Sequence, residues 1–238
     1  MAPDAKPTIV RNRILRALKS ENLELLTPHL SPIKLSVRDE FEAPNKSIKT
    51  IVFPDSGIIS VVAHGSHNKV LEVGIIGCEG MTGLAIVMGS DRSPHRTYVQ
   101  VRGEGQQMAA DDLREAMLES PSLRDIMLRF AQSFMIQATH TALSNGSAKL
   151  EERLARWLLM ADDRIDGDEL PLVHEFLALM LGVRRPGVTI AIHSLERIGV
   201  IENSRGVIKV SDRKGLEEIA NASYGVPEAE YKRLMRGG

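Results

Sequence analysis

The sequence predicts an α+β chain in three parts: an N-terminal antiparallel β-roll, one long helix and a C-terminal winged helix-turn-helix. Three observations carry this expectation. Short runs rich in Val, Ile and Tyr are separated by turn signals through the first half, where nine of the 19 glycines lie between Gly57 and Gly105. From Pro121 onward apolar residues recur every three or four positions, the period of a helix. Near the C-terminus two short helical patterns flank Gly182, and a strand-turn-strand pattern follows them.

Composition narrows the classes first. The 238 residues suffice for one large or two modest domains, and 43% hydrophobic with 26% charged residues is the usage of a globular chain. The longest uncharged apolar stretch, Phe176 to Val183, falls far short of the ~18 residues a bilayer span needs, so no membrane partner is expected. The N-terminal MAPDAKPTIVRNRI has no apolar core behind its charges; no signal peptide is read there, and the cytoplasm is the expected compartment. A single cysteine, Cys78, excludes an internal disulfide and the thiolate sets of structural zinc or iron–sulfur clusters. No cofactor, metal or catalytic site is expected.

A short helix from Arg11 to Leu18 opens the chain. Strands are expected at Ile48 to Phe53, Gly57 to Ala63, Lys69 to Ile76 and Arg96 to Val101, with Pro54-Asp55-Ser56-Gly57 and Gly65-Ser66 as turns. In the last strand Thr97, Val99 and Val101 alternate with Arg96, Tyr98 and Gln100, so one face can be buried and the other polar. Asp111 to Glu119 reads as a helix that ends this first domain, 1–120.

The long helix, 121–146, starts at Ser120-Pro121, an N-cap followed by proline at the first helical position. It carries two apolar stripes: Leu123, Met127, Phe130, Phe134 and Ala138, and Ile126, Leu128, Met135 and Ala142. Two stripes call for two partners. One is the β domain and the other is the same helix of a second subunit, with Phe130, Phe134 and Ala138 at the two-fold contact; burial in one larger core would satisfy the same pattern. Asn145-Gly146-Ser147 is read as the break that opens a C-terminal domain, 147–238.

In that domain Leu150 to Ala161 is a helix with Leu154, Trp157, Leu158 and Ala161 on one face, and Asp162 to Glu169 is an acidic loop. Leu172 to Leu181 and Arg185 to Ile198 form a helix pair around Gly182, which takes the left-handed conformation at the first helix's end without a Cβ penalty. Val188, Ile192 and Leu195 face Leu177 and Leu181, leaving Arg185, Thr189 and His193 to point outward. Val200-Ile201 and Val207 to Val210 make a hairpin tipped by Arg205. The whole chain carries a net charge of −1, yet Gly182 to Lys214 holds seven basic residues against three acidic ones. A compact basic segment in a neutral chain is the footprint of a nucleic-acid site.

Chemistry follows from this placement. A major groove admits one helix, whose N-terminal residues meet base edges. Arg185 stands there and can donate two hydrogen bonds to guanine, while Thr189 and Ile190 can pack on thymine methyls. Arg184, Arg197 and Arg205 can reach phosphates, which set position rather than sequence.

At these residues the chain resembles the Crp/Fnr superfamily of bacterial transcription regulators. The segment His174 to Val188, HEFLALMLGVRRPGV, resembles the helix-turn-helix of an alphaproteobacterial branch, and Phe53 to Val62 with Gly77 to Leu84 resembles that branch's β-roll. The likeness runs from about Leu15 to Tyr231. It implies a cyclic-nucleotide-binding-like roll, a dimerisation helix, a homodimer on two-fold symmetric promoter DNA and contact with RNA polymerase. It also places Arg185 where the family has its base-reading arginine, with Pro186 in place of a glutamate that many members use and Val173 in place of a threonine N-cap.

Members that bind cyclic AMP hold the ribose with a glutamate in a glycine-bounded turn and the phosphate with an arginine followed by a small hydroxyl residue. The resembling residues here are Gly80-Met81-Thr82-Gly83 and Arg96-Thr97. Methionine cannot accept hydrogen bonds as a carboxylate does, and Glu79, two residues away, is a weak substitute. A roll that does not bind cyclic AMP is therefore expected, with any effector at Gly80, Gly83, Arg96 and Thr97 of another kind. Cys78 beside Glu79 reads as a plain turn residue. The alternative from another class is a cupin-like metal-dependent enzyme using His64, His67, Glu72 and His95; its first two histidines are spaced by two residues rather than one, so they do not share a strand face.

Overall fold

The structure is a computed structural model and describes residues 11–65, 70–165, 167, 169–172 and 174–236. Asn12 caps α1 (Arg13–Ala17) by accepting the N–H groups of Ile14 and Leu15 at 3.1 and 3.2 Å. Its amide also donates to Pro54 O and Gly80 O at 2.9 and 2.8 Å, which ties a helix too short to stand alone to the strands behind it. A second helix, α2 (Ser20–Leu26), leads into β1 (Ser31–Leu35) and β2 (Glu40–Glu42). Then come β3 (Thr50–Pro54), β4 (Ile58–His64), β5 (Val70–Ile76), a turn of helix α3 (Leu84–Val87), β6 (Arg96–Val101) and β7 (Gly103–Ala109). They form two antiparallel sheets, ordered β1-β7-β3 and β2-β6-β4-β5.

Strand β7 was not expected, because its GEGQQMA sequence reads as a turn. Its glycines serve close approach instead: a Cβ on Gly103 would lie 2.2 Å from Ser56 O, and one on Gly105 2.4 Å from Phe53 O. In β6 the expected polar face is buried as well, with Tyr98 and Gln100 both covered, since the C-terminal part packs over that side.

After α4 (Ala110–Glu119), α5 (Pro121–Ser147) runs for 27 residues, with Ser120 Oγ accepting from Leu123 N at 3.2 Å. Asn145-Gly146-Ser147 forms its last turn, so the helix ends at Ser147, one residue beyond the expected 146, and the N–H of its C-cap Ala148 donates to Ser144 O at 2.9 Å. Phe130 and Phe134 are not free for the expected two-fold contact. Both are buried within their own subunit, their rings filling the space where Gly80 and Gly74 lack a Cβ. The face of α5 left in solvent instead carries Leu128, Met135, Ala142 and Leu143, with Ala138 half-buried at its edge. Gln137 acts as a surrogate strand residue, accepting from Ile75 N at 2.7 Å and donating to Ile75 O at 3.2 Å along the sheet's edge strand.

Helix α6 (Leu150–Asp162) is buried all round from Leu154 to Ala161, not on one face, because it lies between the roll and the C-terminal helices. There follow β8 (Glu169–Pro171), α7 (His174–Met180), α8 (Arg185–Arg197), β9 (Ile201–Ser204), β10 (Val207–Val210), α9 (Arg213–Ala220) and α10 (Val226–Met235). Strand β8, where the acidic loop was expected to end, joins the wing in a sheet ordered β8-β10-β9. One apolar cluster joins Ile58, Ile75 and Val101 of the roll to Trp157, Leu177, Val188 and Leu195 beyond it. Buried polar links cross the same junction: Trp157 Nε1 donates to Glu72 at 2.7 Å, and Arg164 pairs with Glu79 at 2.7 Å. Among the described residues no single helix is long and apolar enough to cross a membrane.

Candidate nucleic-acid interface

Helices α7 and α8 meet at 104°, the angle of a helix-turn-helix unit. Gly182, at φ 61°, turns the chain: its N–H donates to Leu179 O at 3.2 Å and Val183 N to Ala178 O at 3.0 Å, closing the end of α7. Val173, expected at the start of that helix, lies outside the described residues. The inner face of α8 is Val188, Ile192 and Leu195, all fully buried with Leu177 and Leu181. This amphipathic split fixes which side chains are left to solvent.

The outward residues are Arg184, Arg185, Ile190, His193 and Arg197, all exposed, and Ile190 keeps 68% of its surface in solvent. Arg185 stands in the first turn of α8. Thr189 is half-buried, and its hydroxyl is used inside the motif, donating to Arg185 O at 3.2 Å and meeting His174 Nδ1 at 3.1 Å. Sequence reasoning missed this role of His174. It also missed Glu196, which accepts from Asn203 N at 3.3 Å and faces His193 Nδ1 at 3.3 Å, joining the outward helix to the wing. The wing turns through Arg205 and Gly206, at φ 43° and 81°, the paired left-handed residues of a tight hairpin whose twist matches its strands. Arg205 is thus held exposed at the tip. Of the basic segment, Arg213 is turned inward, bonded to Asp162, Asp163 and Tyr224 at 2.5, 2.7 and 2.7 Å.

The residues named for an effector do not converge. Gly80 O and N are taken by Asn12 and Gly77, and Met81 is fully buried in the core. Gly83 N donates to Glu42 Oε1 at 2.8 Å. Arg96 points to the outer surface, paired with Glu40 and lying 5.5 Å over the Tyr98 ring. Glu79 is committed to Arg164 and to Gly77 N. Thr97 lines a cavity of about 460 Å³ between the roll and α5. Glu42 lines it as well; burial raises its pKa, partly offset by the Gly83 N–H and by Thr97. No sequence signal marked Glu42.

The metal reading finds no support in the geometry. Glu72 is buried and bonded to Ser60 and Trp157, His64 is exposed at a strand end, and His67 lies outside the described residues. Among the described residues no three His, Cys, Asp or Glu side chains group to hold a metal ion.

An amphipathic helix pair at a glycine turn, braced by a three-stranded wing and presenting a cationic face, defines a winged helix-turn-helix module. Residues 152–219 match the Crp-like helix-turn-helix domain family, so this part of the chain is a Crp-like helix-turn-helix domain. No curated protein matches the chain. Among solved structures it is similar to FixK2 from Bradyrhizobium japonicum, at 14% identity and a TM-score of 0.71 over 81% of this chain and 98% of that one. It is also similar to the c-di-GMP-responsive global regulator CLP of Xanthomonas campestris, at 15% identity and a TM-score of 0.65 over 81% and 99% of the two chains. A CRP/FNR-family transcriptional regulator of Thermus thermophilus gives 19% identity and a TM-score of 0.61 over 82% and 100%. At such identities the likeness is one of fold: the chain has the Crp/Fnr architecture from roll to wing.

Proposed function

We propose that this protein is a Crp/Fnr-type transcription regulator that binds a two-fold symmetric promoter site as a homodimer in the cytoplasm and activates or blocks RNA polymerase there. The observation that carries the reading is the outer face of α8. Arg184, Arg185, Ile190, His193 and Arg197 are all solvent-exposed beside a wing that ends in Arg205, so no described residue covers the surface a major groove would take. Arg185 is the base reader, Ile190 a contact for a thymine methyl, and Arg184, Arg197 and Arg205 grip phosphates.

The dimer reading now rests on a different stripe. Leu128, Gln132, Met135, Thr139 and Ala142 are exposed on α5 at alternating spacings of four and three, the repeat of a helix that packs on its own copy. A two-fold axis along that seam would set two α8 helices into successive major grooves, roughly 34 Å apart. The roll is the regulatory part, and cyclic AMP is not its ligand. Selection of bound duplexes from a random pool tests the whole reading. A palindrome with half-sites about one helical turn apart is expected, and the same pool put through the Arg185→Ala variant should yield no consensus; enrichment of no sequence by the wild type would end it.

A further inference from the structure

We infer that the cavity between the roll and α5 binds a small, uncharged, mostly apolar molecule bearing one hydroxyl group, of phenol or alcohol type. This rests on reading the roll as the effector-binding part of a regulator, and it names the chemistry of that effector. The cavity, about 460 Å³, is of the size that takes small ligands. Its walls are largely hydrocarbon, from Val61, Val73, Ile76, Leu84, Ala131 and Phe134. An apolar wall selects an apolar body.

The polar end selects the single hydroxyl. Thr97 lines the cavity and is fully buried, and its Oγ1 meets the Glu42 carboxyl without a hydrogen bond of normal geometry. A buried hydroxyl in that state has given up water for at most a weak bond in return, and a ligand hydroxyl inserted between it and the carboxyl gives both a better one. Glu42 stands next to it with one oxygen held by Gly83 N, able to accept the proton that the ligand hydroxyl donates. One donor and one acceptor at the closed end of a hydrocarbon pocket fit one hydroxyl.

Charge excludes the anionic classes. Arg96, the residue the resemblance would place on a phosphate, is bonded to Glu40 outside the cavity. Arg92 at the rim is paired with Asp91 at 2.9 Å. Burial and the nearby His64 lower the pKa of His95, so its imidazole is neutral there. Glu42 adds a carboxylate, not a cation. A cyclic phosphate or a carboxylate would find no buried counter-charge among the described residues that line the cavity. Met88, more than half exposed, stands at the mouth, and Met135 beside it belongs to the exposed stripe of α5 proposed for the dimer seam.

The test uses the full-length protein without DNA and 1-naphthol as probe, followed by thermal shift and by the probe's own fluorescence. Saturable binding with a raised Tm is expected. Naphthalene should bind up to about a hundredfold more weakly, the loss of two hydrogen bonds, and 1-naphthoate and cyclic AMP should not bind. Thr97→Val should weaken 1-naphthol about tenfold, part of the way to naphthalene because Glu42 still accepts, and leave naphthalene unchanged, and Val73→Phe should fill the space and remove both. Binding of 1-naphthoate or cyclic AMP more tightly than 1-naphthol, 1-naphthol affinity unaffected by both variants, or no binding at all would overturn the inference. The ligand series on the wild type decides the matter even where a variant fails to fold. Because no DNA is present, failure here leaves the DNA-binding reading standing, and a failed selection of duplexes leaves the cavity's ligand standing.

Discussion

Glu72 makes the stability of this protein depend on pH in a way the structure sizes. Its carboxyl is buried where the roll meets α6, accepting from Ser60 Oγ at 2.5 Å and from Trp157 Nε1 at 2.7 Å. Burial pushes its pKa up to about 7 from an ordinary 4.5; the bonds from Ser60 and Trp157 and the charges of Arg156 and Arg164 oppose this without cancelling it. Below pH 4.5 the group is neutral in both folded and unfolded chains and its contribution is fully present. Between 4.5 and about 7 only the unfolded chain ionises, so stability falls as pH rises through that window and levels off above it. The gap of about 2.5 pH units, at about 1.4 kcal/mol each, amounts to about 3 kcal/mol. Glu72→Gln keeps the acceptor for Trp157 and the shape of the neutral acid but cannot ionise. The variant should match the wild type near pH 4.5 and exceed it by about 3 kcal/mol at pH 8. Urea unfolding across pH 4.5–8 measures this, read on the fluorescence of Trp157, the chain's one tryptophan. Other buried groups, Glu42 among them, shift with pH too, so the difference between the two proteins is the quantity to follow. A constant difference at all pH values, or a variant weaker than the wild type at pH 8, would refute the reasoning.

The other expected outcomes are these. Met135→Glu should dissociate the dimer and weaken operator binding while leaving subunit unfolding unchanged, whereas Phe134→Ala should cost about 3–5 kcal/mol of subunit stability; sedimentation and urea titration separate the two, and a dimeric Met135→Glu protein would rule out the exposed stripe. Arg185→Ala should erase sequence preference, and Arg205→Ala should weaken all sequences alike and reduce the salt slope by about one; equal loss of preference in both would sink that division of labour. Arg164→Ala should cost about 3–5 kcal/mol because it strands Glu79 beneath α10, where Tyr231 already holds the Glu79 carbonyl at 2.9 Å, and an unfolding midpoint that does not move would contradict that role of the buried pair.

What could be read from the residues alone follows from which forces are local. Strand β6 was placed at Arg96 to Val101 with its observed ends, because β-branched residues and flanking turns act over a few positions. The helix pair around Gly182 was legible for the same reason, since a left-handed glycine between two apolar periods has few other uses. Strand β7 was not legible, because its glycines answer to Ser56 and Phe53 some fifty residues away. The long helix shows a third case. Periodicity revealed two apolar stripes but could not say which one meets the roll; the answer lies in Gly74 and Gly80, whose missing side chains admit Phe134 and Phe130. At the site, the residue types on the outer face of α8 were legible, whereas the use of Thr189 by His174 and the cavity ending at Thr97 and Glu42 arise only from packing between distant segments.

The arrangement of α5 also says how the two ends of the molecule can influence each other. Phe134 fills the notch at Gly74 and at the same time lines the cavity, while three residues on, Gln137 is bonded to the backbone of Ile75 on the same strand. Ile75 belongs to the apolar cluster that also contains Trp157, Val188 and Leu195, so the strand that feels the cavity is packed against the core that sets α8. Close-packed interiors do not deform smoothly, and a side chain such as Phe134 moves between discrete positions. A change at Phe134 can reach α8 through this cluster, and also more directly through α6, whose Arg156 donates to Gln137 O at 3.4 Å and to Thr141 Oγ1 at 3.1 Å on α5 itself.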